Sequence, residues 1–202
     1  MSALHLHQPV KNHTITISRQ KGSLGMEIAG KTAALLGYRP LWRELIDQAA
    51  NQAGVPELSL AAVDELGLLD LCPSPAACDA YHAAMREVMH TYASVGAYIL
   101  VGRAGQTILK GVPGVMHVRI VAPLDIRIGR IAAAQGISVE CAREQILASD
   151  HFRQHYLKKY FHINWNDSDL YDLVINTGRI PADLAAQQIG LAVEGFLQYN
   201  NS

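Results

Sequence analysis

The segment that most constrains the fold is residues 14–29, TITISRQKGSLGMEIA. It begins with alternating Thr and Ile, whose β-branched side chains suit a buried strand. Gly22 and Gly25 follow, and glycine permits the backbone angles of a tight turn. Apolar residues then recur at helical spacing as far as Gly37, a residue typical of a helix end. The segment therefore predicts a strand, a glycine-bearing turn and a helix.

Such a turn favours an anion, because the helix N-terminus presents free N–H groups and the positive end of its dipole. The usual phosphate-loop pattern G-x-x-x-x-G-K-[ST] is absent, however. Met26 and Glu27 follow Gly25, where lysine and Ser or Thr are expected. The sequence thus predicts the architecture of a phosphate loop without its lysine. Either Arg19 or Lys21 is a candidate to supply the missing charge.

The rest of the chain alternates between strand-like and helical segments. Further strands are predicted over 38–41, 98–102, 115–121 and 171–176, and the last helix over 181–199. Alternation of this kind predicts a parallel sheet with helices on both faces. We therefore expect an α/β protein with a five-stranded parallel sheet. The polar residues 1–12 are predicted to form a flexible arm, and residues 13–202 a single domain.

Charge and hydropathy restrict the partners. The formal net charge is −1, whereas binding to nucleic acid or to an anionic membrane favours a strong positive excess. No apolar run is long enough to cross a bilayer, and no signal peptide is evident. The 3 cysteines, an odd number with wide spacing, favour a reduced, cytoplasmic setting. We expect neither a nucleic-acid nor a membrane partner, and a homo-oligomer remains open.

The residues from Arg19 onward, RQKGSLGMEIA, resemble the R-Q-x-G-S-G-G-R-E-I-A signature of the cytidylate kinase-like family, a divergent branch of the P-loop nucleoside monophosphate kinases. Leu24 replaces a glycine of this signature, and Met26 replaces an arginine. The resemblance continues in WRELI from Trp42, in VGR ending at Arg103 and over 164–177. It implies a three-layer P-loop NTPase fold with a helical acceptor-side insert over about 55–95 and a lid-like region over about 138–165.

The resemblance also implies ATP-dependent phosphoryl transfer to a nucleoside monophosphate or similar small acceptor. The turn would then bind the donor phosphates through Arg19, Gln20, Lys21, Gly22, Ser23, Leu24, Gly25, Met26 and Glu27. Arg127 and Arg130 resemble arginines that flank the donor nucleotide. Asp150 and Arg153 match an Asp-x-x-Arg pattern of the lid helix, which places an arginine over the transferred phosphoryl group. We therefore expect Asp150 and Arg153 to be catalytic.

Two arginines are candidates to bind the acceptor. Gly102-Arg103 resembles a Gly-Arg pair that grips the acceptor phosphate in the family, and Arg43, after the predicted second strand, is placed to face the same acceptor. Each has a structural alternative: an ion pair with a nearby acid for Arg103, and solvation of a helix start for Arg43. For Arg127 and Arg130, the alternative is a solvated helix face.

The expected cosubstrate is ATP. Magnesium stays open, because no clear second acid accompanies Glu27 as a ligand, and no protein metal site is predicted. The alternative function is a catalytically impaired regulatory module of the same fold that binds a nucleotide or another anion. It follows from the degenerate phosphate loop, which lacks a lysine, a Ser or Thr and a glycine.

Overall fold

The structure, a computed structural model, describes residues 13–55 and 74–200. Its strands are β1 Thr14–Arg19, β2 Arg39–Leu41, β3 Tyr98–Val101, β4 Val115–Val121 and β5 Leu173–Asn176. They form one sheet in the order β2-β3-β1-β4-β5, and every neighbouring pair is parallel. The predicted five-stranded parallel sheet is confirmed. The predicted arm, 1–12, and residues 56–73 of the predicted insert lie outside the described residues.

Helices cover both faces of this sheet, as predicted. The described helices are α1 Gly25–Leu36, α2 Arg43–Gln52, α3 Pro75–Val95, α4 Gly105–Ile108, α5 Leu124–Gln135, α6 Val139–Phe161 and α7 Ala182–Asn200, with a 3₁₀ turn at Ser168–Leu170. Helices α1 and α7 pack with the strands into one apolar core, and α2 and α3 into another on the opposite face. Within the described ranges, no helix has both the length and the apolar character required to cross a bilayer.

Side-chain alternation along β1 explains why the strand is buried on both faces. Ile15 and Ile17 belong to the core with α1 and α7. Thr16 points to the other face, where its hydroxyl is 2.7 Å from Nδ1 of His117 on β4. Parallel strands covered on both faces are buried throughout, and all six residues of β1 are buried. The strand is therefore a rigid support for the turn that follows it.

The cysteines differ from the sequence expectation. Cys78, in the first turn of α3, is disulfide-bonded, whereas Cys141 is free and exposed. The expectation that every cysteine is reduced is therefore not met in this structure.

The topology places a crevice between the carboxyl ends of β1 and β3. The chain leaves β1 through α1 toward β2 on one side, and it leaves β3 through α4 toward β4 on the other side. Ligands of open α/β sheets bind where neighbouring strands connect in opposite directions. Arg19 ends β1, and Gly102 and Arg103 follow β3. This crevice is therefore the place in the fold where a ligand site is expected.

Candidate active site

Two cavities meet at this crevice. The larger, of about 370 Å³, lies against the turn after β1 and the start of α1. The smaller, of about 50 Å³, lies between the ends of β1 and β3 and one side of α6. Arg19 and Arg153 line both cavities. A group bound in the larger cavity and a group bound in the smaller one would therefore meet at these two guanidinium groups.

The turn between β1 and α1 is held by its own hydrogen bonds. The Ser23 hydroxyl donates to the Gln20 carbonyl at 2.8 Å, and the Gln20 side-chain oxygen accepts from the Ala122 N–H at 3.1 Å. Helix α1 begins at Gly25, and no side chain caps its N-terminus. The first N–H groups of a helix have no intrahelical partner. Those of α1 border the larger cavity, and the arrangement suits a phosphate.

Leu24 stands before α1 in the left-handed region, with φ 65. This conformation costs a residue with a Cβ roughly 1–2 kcal/mol. The Leu24 side chain lines the larger cavity and packs against the core beneath α1. These core contacts hold the leucine in a conformation that glycine adopts without strain. Leu24 therefore lies in the cavity wall, and its backbone is strained.

Two substitutions of Leu24 separate the strain from the packing. We expect Leu24→Gly to be more stable than Leu24→Ala by about 1 kcal/mol, because both lose the leucine contacts and only glycine relieves the positive φ. The measurement is the free energy of unfolding in urea. Equal stabilities, or a more stable alanine variant, would contradict the strained conformation.

Arginine side chains crowd the junction of the cavities. Arg19 is 8% exposed and Arg103 is 9% exposed, and Arg103 lines the smaller cavity. Burial and the nearby Arg103 lower the pKa of Arg19 to about 9. Burial and the nearby Arg19 lower the pKa of Arg153 to about 9. Like charges repel more strongly where water is excluded, so an anion between these groups would relieve the repulsion.

Three aromatic side chains, those of Phe152, Tyr156 and Trp165, form part of the wall of the smaller cavity. Trp165, which is 2% exposed, donates from Nε1 to the Ser18 hydroxyl at 2.8 Å, and the Arg119 guanidinium lies over its ring at 4.5 Å. The Tyr156 hydroxyl is 3.2 Å from Nε2 of His82. The remaining lining residues include Gly102, Ala104, Gln106 and Leu157. Trp165 is thus a packed wall residue, held on several sides.

The two arginines of α5 brace the turn from outside. Arg127, 5% exposed, donates to the carbonyls of Ala122 at 3.0 Å and Lys21 at 3.3 Å. Arg130 donates to the Gly22 carbonyl at 3.2 Å and to the Thr177 hydroxyl at 2.9 Å. By holding carbonyls of the turn, they fix the orientation of its peptide groups. The solvated-face alternative does not apply to Arg127, and Arg130 also lines the larger cavity.

Asp150 and Arg153 have separate environments although they share α6. The Asp150 carboxylate pairs with Arg127 at 2.8 Å and lines neither cavity. Burial raises the pKa of Asp150, and the Arg127 charge acts against this rise. Arg153 lies at the junction of the cavities. Asp150 is therefore placed to position Arg127, whereas Arg153 borders both cavities, and the expectation that both residues are catalytic stays a prediction.

The other predicted residues also differ in whether they line a cavity. Lys21 lines the larger cavity, and its Nζ donates to Gln145 on α6 at 3.1 Å. Met26, 42% exposed, and Glu27 lie at the rim of this cavity. Arg43 is exposed and lines neither cavity. The first turn of α2 places Arg43 at the surface, and its contact with the acceptor stays a prediction.

Metal ligands are not grouped in the part of the chain that the structure describes: no three His, Cys, Asp or Glu side chains come together to hold an ion. Sequence reasoning also missed Ser18, Tyr156 and Thr177. Ser18 and Thr177 lie at the carboxyl ends of β1 and β5, where ligands of open α/β sheets bind, so their positions along the predicted strands would have indicated them. Tyr156 had no such signal, because its position depends on how α6 packs.

Comparison with known proteins gives the family. The model of the Cytidylate kinase-like family matches residues 14–179. The chain belongs to this family. The match begins at the first residue of β1 and spans all five strands together with the glycine turn described above.

Two curated relatives show how far this likeness extends. A uronate isomerase of Corynebacterium glutamicum is 25% identical over 92% of this chain and 36% of its own length. A cytidylate kinase of Staphylothermus marinus is 29% identical over 41% of this chain and 47% of its own length. This cytidylate kinase-like chain thus spans about a third to a half of the curated relatives it matches.

Solved structures agree on the fold. An uncharacterized protein of Eubacterium ventriosum superposes with a TM-score of 0.72 at 21% identity, covering 90% of this chain and 98% of that one. A gluconokinase of Sinorhizobium meliloti gives a TM-score of 0.57 at 13% identity, covering 95% and 98%. The predicted three-layer P-loop kinase fold is confirmed.

Proposed function

We propose that this member of the cytidylate kinase-like family is an ATP-dependent phosphotransferase that acts on a nucleoside monophosphate or a similar small anionic acceptor. One observation carries the proposal: the guanidinium groups of Arg19 and Arg103, which are buried, and of Arg153, which is partly buried, converge where two cavities meet. Phosphoryl transfer needs little covalent chemistry from the protein and depends on positioning and on positive charge around the transferred group. The cytoplasmic setting and the small-molecule nucleotide partner predicted from the sequence belong to this proposal.

Each cavity has a role in this reaction. The phosphates of ATP occupy the larger cavity, against the uncapped N–H groups of α1, and the phosphate of the acceptor occupies the smaller cavity beside Arg103. An acceptor oxygen attacks the terminal phosphorus of ATP, the bond to the bridging oxygen breaks, and ADP leaves with that electron pair. Arg19 and Arg153 lie on both sides of this step and stabilise its negative charge.

The acid–base requirements of this step are small. A phosphate acceptor that reacts as its dianion has no proton to lose, so the site needs no general base. This agrees with Asp150, whose carboxylate is already paired with Arg127. Magnesium commonly accompanies ATP and is held largely by phosphates and water. The described residues do not supply a protein ligand set for it, and no step here depends on one.

The second candidate is a regulatory module that binds ATP or another anion without transfer. It is favoured by Gly25 and Met26, which stand at the start of α1 without a lysine or a Ser or Thr. The activity named for the uronate isomerase is not carried over, because the likeness covers 36% of that protein and the described residues hold no cluster of metal ligands.

The deciding experiment combines binding and turnover. ATP at about a hundred times its Kd should stabilise the fold by roughly 2.7 kcal/mol, measured by thermal shift. ADP release is then followed with CMP, UMP, AMP and dCMP, and with small hydroxy acids. Transfer to one of these supports the phosphotransferase. ATP binding without transfer to any of them supports the regulatory module. Absence of ATP binding contradicts the phosphotransferase and leaves only a module that binds another anion.

A further inference from the structure

We infer that Arg19 is the cation of this phosphate loop, and that its side chain reaches the site through the space that a side chain at position 25 would occupy. This rests on the proposed function and says which residue replaces the missing lysine. The charge is supplied from the end of β1 instead of from the start of α1.

The first observation is the contact between Arg19 and Gly25. A Cβ added at Gly25 would lie 2.4 Å from Cβ of Arg19 and 2.8 Å from its Cγ, closer than such atoms approach. Gly25 is not among the glycines with positive φ, so its backbone would accept other residues. The absence of a side chain at position 25 is therefore explained by the room that Arg19 takes.

The second observation is where the Arg19 head group ends. A Cβ added at Gly102 would lie 2.6 Å from Nη1 of Arg19, and Gly102 also has φ 83. The side chain therefore crosses α1 at Gly25 and ends against the turn after β3, beside Arg103. From there it lines both cavities. A planar guanidinium with several donors can contact oxygens on either side at once.

Lys21, the other candidate, lies elsewhere. Its Nζ donates to Gln145 on α6, and it lines the larger cavity only. It therefore lies on the donor side, next to the lid helix, and not at the junction where transfer occurs. Of these two residues, only Arg19 lies at the junction, so we assign the cation of the loop to Arg19.

Arg19 and a side chain at position 25 would occupy the same space. A lysine at position 25 should therefore replace the charge of Arg19 only in a variant that also lacks the Arg19 side chain. Arg19→Ala should weaken ATP binding about 10- to 100-fold, as expected for loss of hydrogen bonds to a charged group. The double variant Arg19→Ala/Gly25→Lys should regain at least about tenfold of this loss, since the new side chain enters the space that Arg19 leaves and brings a positive charge to the start of α1, which borders the larger cavity. Gly25→Lys alone should unfold at a lower temperature than the parent, because Arg19 still fills the space.

Two control variants separate the effect of the charge from the effect of side-chain volume. Arg19→Ala/Gly25→Met adds bulk without charge and should stay as weak as Arg19→Ala. Arg19→Met/Gly25→Lys has the new charge but keeps an unbranched side chain in the shared space, and it should not recover. Thermal unfolding of each variant shows which ones are folded, and Arg19→Met alone, which keeps the stem, replaces Arg19→Ala should the latter not fold.

The readouts are the ATP Kd by calorimetry and the rate of ADP release. ATP binding by Arg19→Ala or Arg19→Met at the parent's affinity would overturn the inference, even where the parent protein transfers phosphate normally. Equal ATP binding by Arg19→Ala/Gly25→Lys and Arg19→Ala/Gly25→Met would also overturn it. If the parent protein binds ATP without transfer, only the phosphotransferase is contradicted, and the ATP Kd still tests the role of Arg19. If the parent protein binds no ATP, the phosphotransferase and the role of Arg19 are both overturned.

Discussion

Arg153→Gln should lower the rate of phosphoryl transfer by about 10²- to 10³-fold, the usual effect of losing one preorganised donor at a developing charge. ATP affinity should fall much less, because the donor phosphates are bound mainly by the turn and by the start of α1. The reason lies in the geometry: Arg153 borders both cavities, so its strongest contact forms when the phosphoryl group lies between them. Steady-state kinetics and an ATP titration measure the two effects separately.

Arg143 provides the matched control for this substitution. It lies on the same helix, its side chain is 48% exposed, and its partner Asp125 is 91% exposed. Arg143→Gln should leave turnover and ATP affinity unchanged. Thermal unfolding of ligand-free Arg153→Gln shows whether the variant is folded, so that its loss of turnover can be assigned to the reaction. An equal loss in both arginine variants, or a loss of ATP affinity as large as the loss of turnover, would contradict the assigned role.

The strands and most helix ends could be predicted because their signals are local. Strand β4 covers Val115–Val121, as the apolar run predicts. Ser138 caps α6, where its hydroxyl accepts from the Cys141 N–H at 3.1 Å. Both depend on residues within a few positions of one another, which a sequence displays directly. The three-layer arrangement of sheet and helices follows from the family signature.

The site could be predicted only in part, because its key contacts join distant elements. The sequence indicated Arg19 and Arg103 as binding residues and Arg153 as a catalytic residue, and the structure brings them to one crevice. It gave no indication that Arg19 would fill the space above Gly25, since that depends on the angle between β1 and α1. Leucine itself does not indicate a positive φ at position 24, because it avoids that region unless packing holds it there; only the glycine that it replaces in the family signature points to one.

The buried pair of Arg127 and Asp150 is expected to give the other large effect, on stability. Arg127→Met removes the charge that Asp150 faces, together with the hydrogen bonds to Ala122 and Lys21. Breaking a buried pair by removing one partner costs about 3–5 kcal/mol. Since Arg127 also holds the Lys21 carbonyl of the turn, ATP affinity should fall as well. The free energy of unfolding in urea and the ATP Kd measure these effects.

A second substitution shows whether the cost comes from the unpaired carboxylate. Burial raises the pKa of Asp150 and the Arg127 charge acts against this rise, so loss of Arg127 should raise the pKa further, and the unpaired carboxylate should cost stability as pH rises through the folded pKa. At neutral pH, Arg127→Met/Asp150→Asn should therefore recover part of the stability lost in Arg127→Met. It should not recover ATP affinity, because the Lys21 carbonyl still lacks its donor. For comparison, Arg143→Met at the exposed pair with Asp125 should change stability by less than about 1 kcal/mol. Full recovery of ATP affinity in the double variant would show that Arg127 does not brace the turn.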